Sequence, residues 1–180
     1  MIKRELYMSR IRPFIGTELV KVMTGIRRCG KSVILGLIQQ ELTESGVSPT
    51  QFIAINFEDM SYSHLQTAQA LHDEITKRAK EIDGKVYLFF DEIQEVKDWE
   101  KCINSFRVSL DCDIYITGSN AKLLSGELAT YLGGRYVEFV IYPFSFGEFM
   151  ELYRSISPDA SIQQCFQKYL LAGGMPYLAN

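Results

Sequence analysis

Eight consecutive residues, from Gly25 to Ser32, have the types and spacing of a phosphate-binding loop. They read Gly-Ile-Arg-Arg-Cys-Gly-Lys-Ser and fit the pattern G-x-x-x-x-G-K-[ST]. Gly25 and Gly30 permit backbone angles that turn successive N–H groups inward, which makes a concave nest for phosphate oxygens. Lys31 can place its ammonium against the β- and γ-phosphates, and the Ser32 hydroxyl can ligate Mg²⁺. The predicted chemistry is the binding of a polyphosphate together with a magnesium ion.

The variable positions of the loop and the residue after it complete the predicted ligand-binding set, which adds Arg27, Arg28, Cys29 and Val33. Arg27 and Arg28 can touch phosphate or a partner. Cys29 has two interpretations: its thiol is acidified and oxidation-sensitive in a positive nest, or it is simply a small residue that fits.

A phosphate-binding loop works only between a buried strand and a helix N-terminus, where the helix dipole adds positive potential. Both flanks are present. Residues 19–24 have the composition of a short strand, and residues 33–42 carry apolar residues at helical spacing. These flanks favour a phosphate-binding loop over a simple glycine-punctuated turn.

Two neighbouring carboxylates, Asp91 and Glu92, follow the continuous apolar run at residues 86–90. Asp91 can bind Mg²⁺ directly or through water, opposite Ser32. Glu92 can take a proton from an attacking water. The alternative is that Asp91 caps a turn and Glu92 is solvated. The phosphate-binding loop upstream favours the roles in metal binding and water activation.

Strands and helices are predicted to alternate along the whole chain. The predicted strands are 19–24, 51–57, 86–90, 113–117 and 136–141, and the predicted helices are 33–42, 64–82, 99–110 with Asp98 as N-cap, 123–132, 145–153 and 162–171. This alternation is typical of an α/β fold with a parallel sheet covered by helices on both faces. Ligands of such sheets bind beyond the carboxyl ends of the strands. Four polar clusters are expected to converge there: the phosphate-binding loop, Asn56, Asp91 with Glu92, and Ser119 with Asn120.

Composition narrows the function classes. At 180 residues with 47% hydrophobic and 23% charged residues, the chain is expected to form one large domain, or one domain and part of another. A net charge of −3 excludes an overall basic field that would recruit nucleic acid or an acidic membrane. A local basic surface remains open for the run of Lys3, Arg4, Arg10 and Arg12, although such runs are typically solvated.

The sequence also predicts a cytoplasmic location. Its four cysteines have no C-x-x-C spacing, and it contains neither a signal peptide nor an apolar run long enough to span a membrane.

Residues 25–32 resemble a Walker A motif, and residues 88–92 resemble a Walker B motif with the added catalytic glutamate. Together they resemble the AAA-type P-loop ATPases. The resemblance implies a three-layer sandwich with a five-stranded, mainly parallel sheet, binding of ATP and Mg²⁺, and ATP hydrolysis. A narrower similarity is to prokaryotic ATPases in which an AAA domain precedes a C-terminal domain of unknown function. Its motifs are GIRRCGKS (25–32), FDEIQEV (90–96) with Trp99, ITGSN (116–120), KLLS (122–125), GRY (134–136), YPFSF (142–146) and GGMP (173–176).

The resemblance also implies roles for residues outside the two main motifs. Ser119 or Asn120, with Asn120 preferred, matches the sensor 1 residue that orients the lytic water. Asn56 matches the polar residue that holds the catalytic glutamate inactive in many AAA proteins, and its alternative role is to cap a turn.

Arg135 stands where AAA proteins carry an arginine finger, which reaches the nucleotide of a neighbouring subunit. A homo-oligomer is therefore possible. The alternative is a surface ion pair of Arg135 with Glu138 or Glu127, the commoner fate of an exposed arginine.

The expected domains are an N-terminal extension at 1–18, an ATPase core at 19–155, and the start of a truncated helical lid at 156–180. No arginine follows Arg154, so a sensor 2 arginine has no candidate. The leading hypothesis is an Mg²⁺-dependent ATPase in which Lys31 and Glu92 act in catalysis. The alternatives are a nucleotide-gated module with slow or no hydrolysis that acts on a protein or DNA partner, and, less favoured, a small-molecule kinase. No guanine-recognising Asn/Thr-Lys-x-Asp signature is present, which mildly favours adenine.

Overall fold

The computed structural model of the chain describes residues 2–119 and 132–175. Its main elements, in chain order, are α1 (Glu5–Ile11), β1 (Val20–Thr24), α2 (Lys31–Glu44), β2 (Phe52–Asn56), α3 (Ala68–Ala79), β3 (Val86–Asp91), α4 (Trp99–Ser109), β4 (Cys112–Thr117), β5 (Tyr136–Val140), α5 (Phe146–Ile156) and α6 (Ile162–Ala172). Short 3₁₀ helices lie at Arg12–Phe14, Pro49–Gln51, Met60–Leu65 and Ile93–Glu95. In residues 2–119 and 132–175, no helix combines the length and the apolar character needed to cross a bilayer.

The five strands form one sheet in the order β2-β3-β4-β1-β5, and every pairing between neighbours is parallel. The predicted α/β fold with a parallel sheet is therefore confirmed. The order places β4 between β1 and β3. As a result, the carboxyl end of β4 lies between the loop that follows β1 and the acidic pair that follows β3.

Helices cover both faces of the sheet, and alternate residues of each strand enter opposite cores. On β3, Leu88 and Phe90 pack with residues of α3 and α4, including Leu71 and Phe106. Phe89 enters the other core, which includes residues of α1 and α2. Burial on both faces explains why the β3 sequence is a continuous apolar run rather than an alternating one.

The prediction of one helix over residues 64–82 was wrong at its N-terminal end. The helical backbone is interrupted at Thr67, and α3 begins at Ala68. Thr67 has an extended backbone and its hydroxyl accepts a hydrogen bond from the N–H of Ala70, so it caps the start of α3. Thr67 also forms a parallel bridge with Lys97, and the N–H of Ala68 donates to the Lys97 carbonyl at 3.0 Å. These contacts hold Thr67 in an extended conformation, and α3 begins at the next residue.

Asp98 immediately precedes α4, but its side chain does not cap the helix as predicted. Its backbone is left-handed, with φ at 58°. Its carboxylate accepts a hydrogen bond from Lys101 Nζ at 3.0 Å instead of one from a helix N–H group. The helix predicted at 123–132 lies outside the described residues, apart from Leu132.

The two ends of the described chain are in contact, since Ile2 packs with Phe144 and Phe149 in one buried cluster. On α1, Tyr7, Met8 and Ile11 are buried in the core on the α2 side of the sheet. Helices α5 and α6 pack on each other, with the rings of Phe149 and Tyr169 5.3 Å apart. The domain boundary predicted after residue 155 falls in the last turn of α5, and the division into three parts stays a prediction.

A fully buried ion pair joins Lys21 of β1 and Asp113 of β4. Asp113 also accepts hydrogen bonds from the hydroxyl of Tyr115 and the N–H of Gly16, both at 2.7 Å. Burial lowers the pKa of Lys21, and the charge of Asp113 opposes that shift. The pair lies near the amino ends of β1 and β4, away from the phosphate-binding loop, and its satisfied contacts assign it a structural role.

Candidate phosphate-binding and catalytic site

The predicted phosphate-binding loop connects the end of β1 to the start of α2. Gly25 and Gly30 both have positive φ, at 149° and 101°. A Cβ at Gly25 would lie 2.3 Å from the carbonyl oxygen of Ile141, which is closer than atoms can approach. Glycine is therefore required at position 25 by space and at position 30 by backbone conformation.

Lys31 is the first residue of α2, and its side chain is only 4% exposed. Its ammonium nitrogen lies 3.4 Å from Oε1 of Glu92 and donates to the carbonyl of Ile26, also at 3.4 Å. The cation predicted to bind phosphate and the acid predicted to activate water are thus in contact. They line one cavity of about 650 Å³, together with Arg27 and Ser119.

Ser32 and Asp91 line a second cavity, of about 340 Å³, to which Asn56 also contributes. A hydroxyl and a carboxylate are both hard oxygen donors, the type that Mg²⁺ prefers. A hydroxyl and a carboxylate that line the same cavity fit a magnesium ion.

Thr117, the last residue of β4, connects the two acids. Its fully buried hydroxyl donates to Oδ1 of Asp91 and accepts from the backbone N–H of Glu92 at 3.0 Å. The hydrogen bond to the carboxylate fixes the orientation of Asp91. The hydrogen bond from the N–H of Glu92 fixes the backbone where the chain leaves β3.

Glu92 adopts a left-handed backbone, with φ at 54° and ψ at 49°. This conformation is uncommon for a residue other than glycine, asparagine or aspartate. The amide of Gln94, two residues on, donates to Oε2 of Glu92 at 2.5 Å, while Oε1 faces Lys31. Both carboxylate oxygens are therefore engaged by donors of the protein.

The side-chain oxygen of Asn56 accepts a hydrogen bond from the backbone N–H of Glu58 at 3.0 Å. This is the turn-capping alternative left open by the sequence. In the strand register, Asn56 of β2 stands beside Asp91 of β3, so it is near the acidic pair. Its proposed influence on Glu92 stays a prediction.

Arg135 is exposed, and its guanidinium donates to Oδ1 of Asn104 at 3.3 Å. Glu138, one of its expected ion-pair partners, instead accepts from the hydroxyl of Thr24 at 2.6 Å. Glu127, the other, lies outside the described residues, as does Asn120. The roles of Arg135 and Asn120 stay predictions.

The remaining loop residues differ in exposure. Cys29 is fully buried, and burial raises the pKa of its thiol. The interpretation of Cys29 as an acidified thiol was therefore wrong, because the loss of hydration raises its pKa more than the nearby positive charges lower it. Its burial agrees with the other interpretation, a small residue that fits the space. Arg27 forms an exposed ion pair with Glu58 at 2.8 Å. Arg28 and Val33 are also exposed.

Sequence reasoning missed Thr117, Gln94 and Arg4. Thr117 had a recognisable signal, since it is a polar residue that ends an apolar strand in the way Asp91 does. Gln94 had only its spacing from Glu92. Arg4 was assigned to a run that is typically solvated, but it is 2% exposed, whereas Lys3, Arg10 and Arg12 are exposed as expected.

Residues 17–150 match a family model described as an AAA domain. An uncharacterised protein of Haemophilus influenzae is 42% identical over 176 residues, which cover 98% of this chain and 44% of that protein. An uncharacterised protein of Methanocaldococcus jannaschii is 34% identical over 166 residues, which cover 87% and 35%. The chain spans less than half the length of either relative.

Solved structures with a similar fold include DnaA from Aquifex aeolicus bound to AMPPCP, with a TM-score of 0.64, 15% identity, and coverage of 99% of this chain and 58% of that one. A RuvB variant from Thermotoga maritima has a TM-score of 0.65, 16% identity, and coverage of 99% and 59%. The ORC1 protein of Aeropyrum pernix, solved in complex with DNA, has a TM-score of 0.60, 16% identity, and coverage of 88% and 50%. At these identities the likeness shows the fold.

Proposed function

Since the chain belongs to the AAA domain family, we propose that it binds ATP with Mg²⁺ and hydrolyses the γ-phosphate. The observation that carries this proposal is the contact between Lys31 and Glu92, at 3.4 Å, beside an Asp91 held by Thr117. A buried cation at a helix N-terminus and two consecutive acids at the end of one strand, β3, are the groups that phosphoryl transfer to water requires.

Binding is assigned to the loop and to its lysine. The N–H groups of residues 25–30 and the ammonium of Lys31 would hold the phosphates. Ser32 and Asp91 would hold the metal. Magnesium held there would supply Lewis-acid neutralisation of the β- and γ-phosphate charge.

Water activation is assigned to Glu92. A polyphosphate in the loop competes with Glu92 for the ammonium of Lys31, and its binding would release one carboxylate oxygen. Gln94 and the N–H bond to Thr117 would keep the acid in place while it accepts a proton from water. Asn120 would position that water. Arg135 would act in trans, from a second copy of the chain.

A nucleotide-gated module with slow or no hydrolysis is the second candidate, and one observation favours it. Both carboxylate oxygens of Glu92 are already engaged, by Lys31 and by Gln94. If ATP binding leaves these contacts intact, the bound nucleotide would set a conformation without being cleaved. DNA is a candidate partner in that case, because one protein with this fold, ORC1, was solved in complex with DNA.

The two candidates are separated by measuring ATP binding and phosphate release on the same sample. The hydrolase is supported if calorimetry detects ATP binding and if phosphate release stops when EDTA removes Mg²⁺. Tight binding without phosphate release supports the module. The absence of ATP binding at millimolar concentration would refute both.

A further inference from the structure

Arg4 is a buried arginine whose contacts converge behind the phosphate-binding loop. Its side chain is 1% exposed, and its guanidinium lies over the rings of Tyr7 and Phe144, at 4.6 and 5.0 Å from their centroids. An isolated buried charge would be costly, so the hydrogen-bond partners of this group are informative.

Three of its partners come from distant parts of the chain. Nη1 donates to the carbonyl of Cys29 at 2.8 Å, Nη2 donates to the carbonyl of Tyr142 at 2.9 Å, and Nε donates to Oε1 of Glu148 at 2.9 Å. The planar fork of a guanidinium can satisfy these directions at once, which an ammonium group cannot. Arg4 therefore connects the phosphate-binding loop, through hydrogen bonds, to the segment that follows β5 and to helix α5.

The contact with Cys29 has a geometric consequence for Gly30. The peptide bond between them is trans and planar, so the Cys29 carbonyl and the Gly30 N–H point in opposite directions. Drawing the carbonyl towards Arg4 turns the Gly30 N–H away from Arg4. The space behind the loop is also closed on that side, because a Cβ at Gly30 would lie 3.2 Å from Nη1 of Arg4.

We propose that Arg4 is a positioning residue for the phosphate-binding loop, and that it acts by fixing the orientation of the Cys29–Gly30 peptide. This inference rests on the proposed function, since the oriented N–H matters only if a polyphosphate binds. This role makes the N-terminal segment part of the nucleotide site, although the side chain of Arg4 would touch no phosphate. The charge of Arg4 is balanced by Glu148, so orientation rather than added positive potential is its contribution.

The test uses three variants of the whole chain and two probes, ATP with Mg²⁺ and inorganic pyrophosphate. Arg4→Lys keeps the charge but loses the fork. Arg12→Met is the matched control, because Arg12 is a neighbouring arginine whose ion pairs with Glu5 and Glu41 are exposed. Glu148→Gln removes the charge of the ion pair, leaves one amide oxygen that can still accept from Arg4, and changes no atom of the Arg4–Cys29 hydrogen bond.

Affinities are measured by calorimetry at a temperature where circular dichroism shows each variant folded. Arg4→Lys is expected to weaken binding of both probes at least tenfold. Arg12→Met is expected to stay within twofold of wild type, and Glu148→Gln within threefold. Equal affinity in Arg4→Lys and wild type would overturn the proposal, and so would an equal loss in Glu148→Gln, since the effect would then arise from α5 and not from the loop.

A spectroscopic measurement on wild type tests the same claim without any variant. In a sample labelled with ¹⁵N-glycine, the Gly30 amide signal is expected to shift strongly when pyrophosphate is added. An unmoved Gly30 signal in a sample that binds pyrophosphate would overturn the role of Arg4 alone. If wild type binds neither probe, the proposed function fails, and the role of Arg4 fails with it.

Discussion

The ammonium nitrogen of Lys31 lies 3.4 Å from Oε1 of Glu92, and the two side chains are 4% and 14% exposed. Water screens such a shielded pair less than it screens a surface pair. A polyphosphate bound to the loop needs the same ammonium. Under the proposed function, nucleotide binding would therefore be coupled through this one ion pair to the release of the Glu92 carboxylate.

Replacing Glu92 by glutamine is expected to separate binding from cleavage. Glu92→Gln should bind ATP at least as tightly as wild type, because Lys31 no longer has to leave a carboxylate. Phosphate release should fall by about 10²- to 10⁴-fold, the usual contribution of a general base. Glu74→Gln, which removes a carboxylate paired with Arg78 on α3, is the control. Unchanged phosphate release in Glu92→Gln would remove Glu92 from the mechanism.

Lys31→Ala is expected to abolish measurable ATP binding. The variant loses charge-assisted hydrogen bonds to phosphate, each worth about 1.5–3 kcal/mol, so affinity should fall by about 100-fold or more. Lys77→Ala, at an exposed position of α3, is the matched control and should bind ATP as wild type does. Calorimetric titration with ATP and Mg²⁺ measures both, and comparable affinities in the two variants would contradict the role of Lys31.

Thr117→Val is expected to destabilise the fold and to impair the site. It leaves the carboxylate of Asp91 without its donor and the N–H of Glu92 without its acceptor, and a buried unsatisfied group costs about 1–3 kcal/mol. Denaturant unfolding measures the loss, and phosphate release should also decline. Thr117→Ser keeps the hydroxyl and should retain most of the activity. If valine and serine behave alike, the hydroxyl has no role in holding the acids.

The sequence predicted the sheet well, because its signals are local. Apolar runs such as residues 86–90 and the glycines of the loop identify strands and turns without knowledge of what packs against them. The order β2-β3-β4-β1-β5 was not predicted, since it depends on contacts between residues far apart in the chain. The break at Thr67 was missed for the same reason, because a bridge to Lys97 stabilises it.

The candidate site divides in a similar way. Residues that fit a motif, such as Lys31 and Asp91, can be predicted from residue type and spacing alone. Arg4 cannot, because its burial depends on the carbonyl of Cys29, on Glu148 and on the ring of Phe144, and none of these is near it in sequence. Its immediate neighbourhood indicates only a basic, solvated segment.

Gly25→Ala and Gly36→Ala are expected to change stability in opposite directions. A methyl at position 25 would lie 2.3 Å from the carbonyl oxygen of Ile141, whose N–H donates to Thr24 at 2.7 Å and so resists displacement. The expected cost is about 2 kcal/mol or more. Gly36 is exposed inside α2 with nothing within 4 Å of its Cβ position, so alanine should stabilise by about 0.5–1 kcal/mol. Denaturant unfolding measures both, and a neutral Gly25→Ala would show that the loop can move away from Ile141.

The ion pair between Arg4 and Glu148 is expected to make the stability of the fold depend on pH in the acid range. Burial by itself raises the pKa of Glu148, but hydrogen bonds from Arg4 and from Ser145 lower it more, so the net pKa lies below the ordinary 4.5. An acid whose pKa is lowered by folding stabilises the folded state above its unfolded pKa. That contribution is lost as the pH falls through the folded value.

The measurement is the free energy of unfolding in denaturant from pH 7 to pH 3, for wild type and for Glu148→Gln. The stability advantage of wild type should be full near pH 7 and should shrink as the pH falls below about 4.5, because protonated Glu148 no longer balances the buried guanidinium of Arg4. Glu151→Gln replaces an exposed carboxylate on the same helix, and its difference curve serves as the reference. If the Glu148→Gln difference stays constant over this range, the charge of the Glu148 carboxylate does not stabilise the buried guanidinium of Arg4.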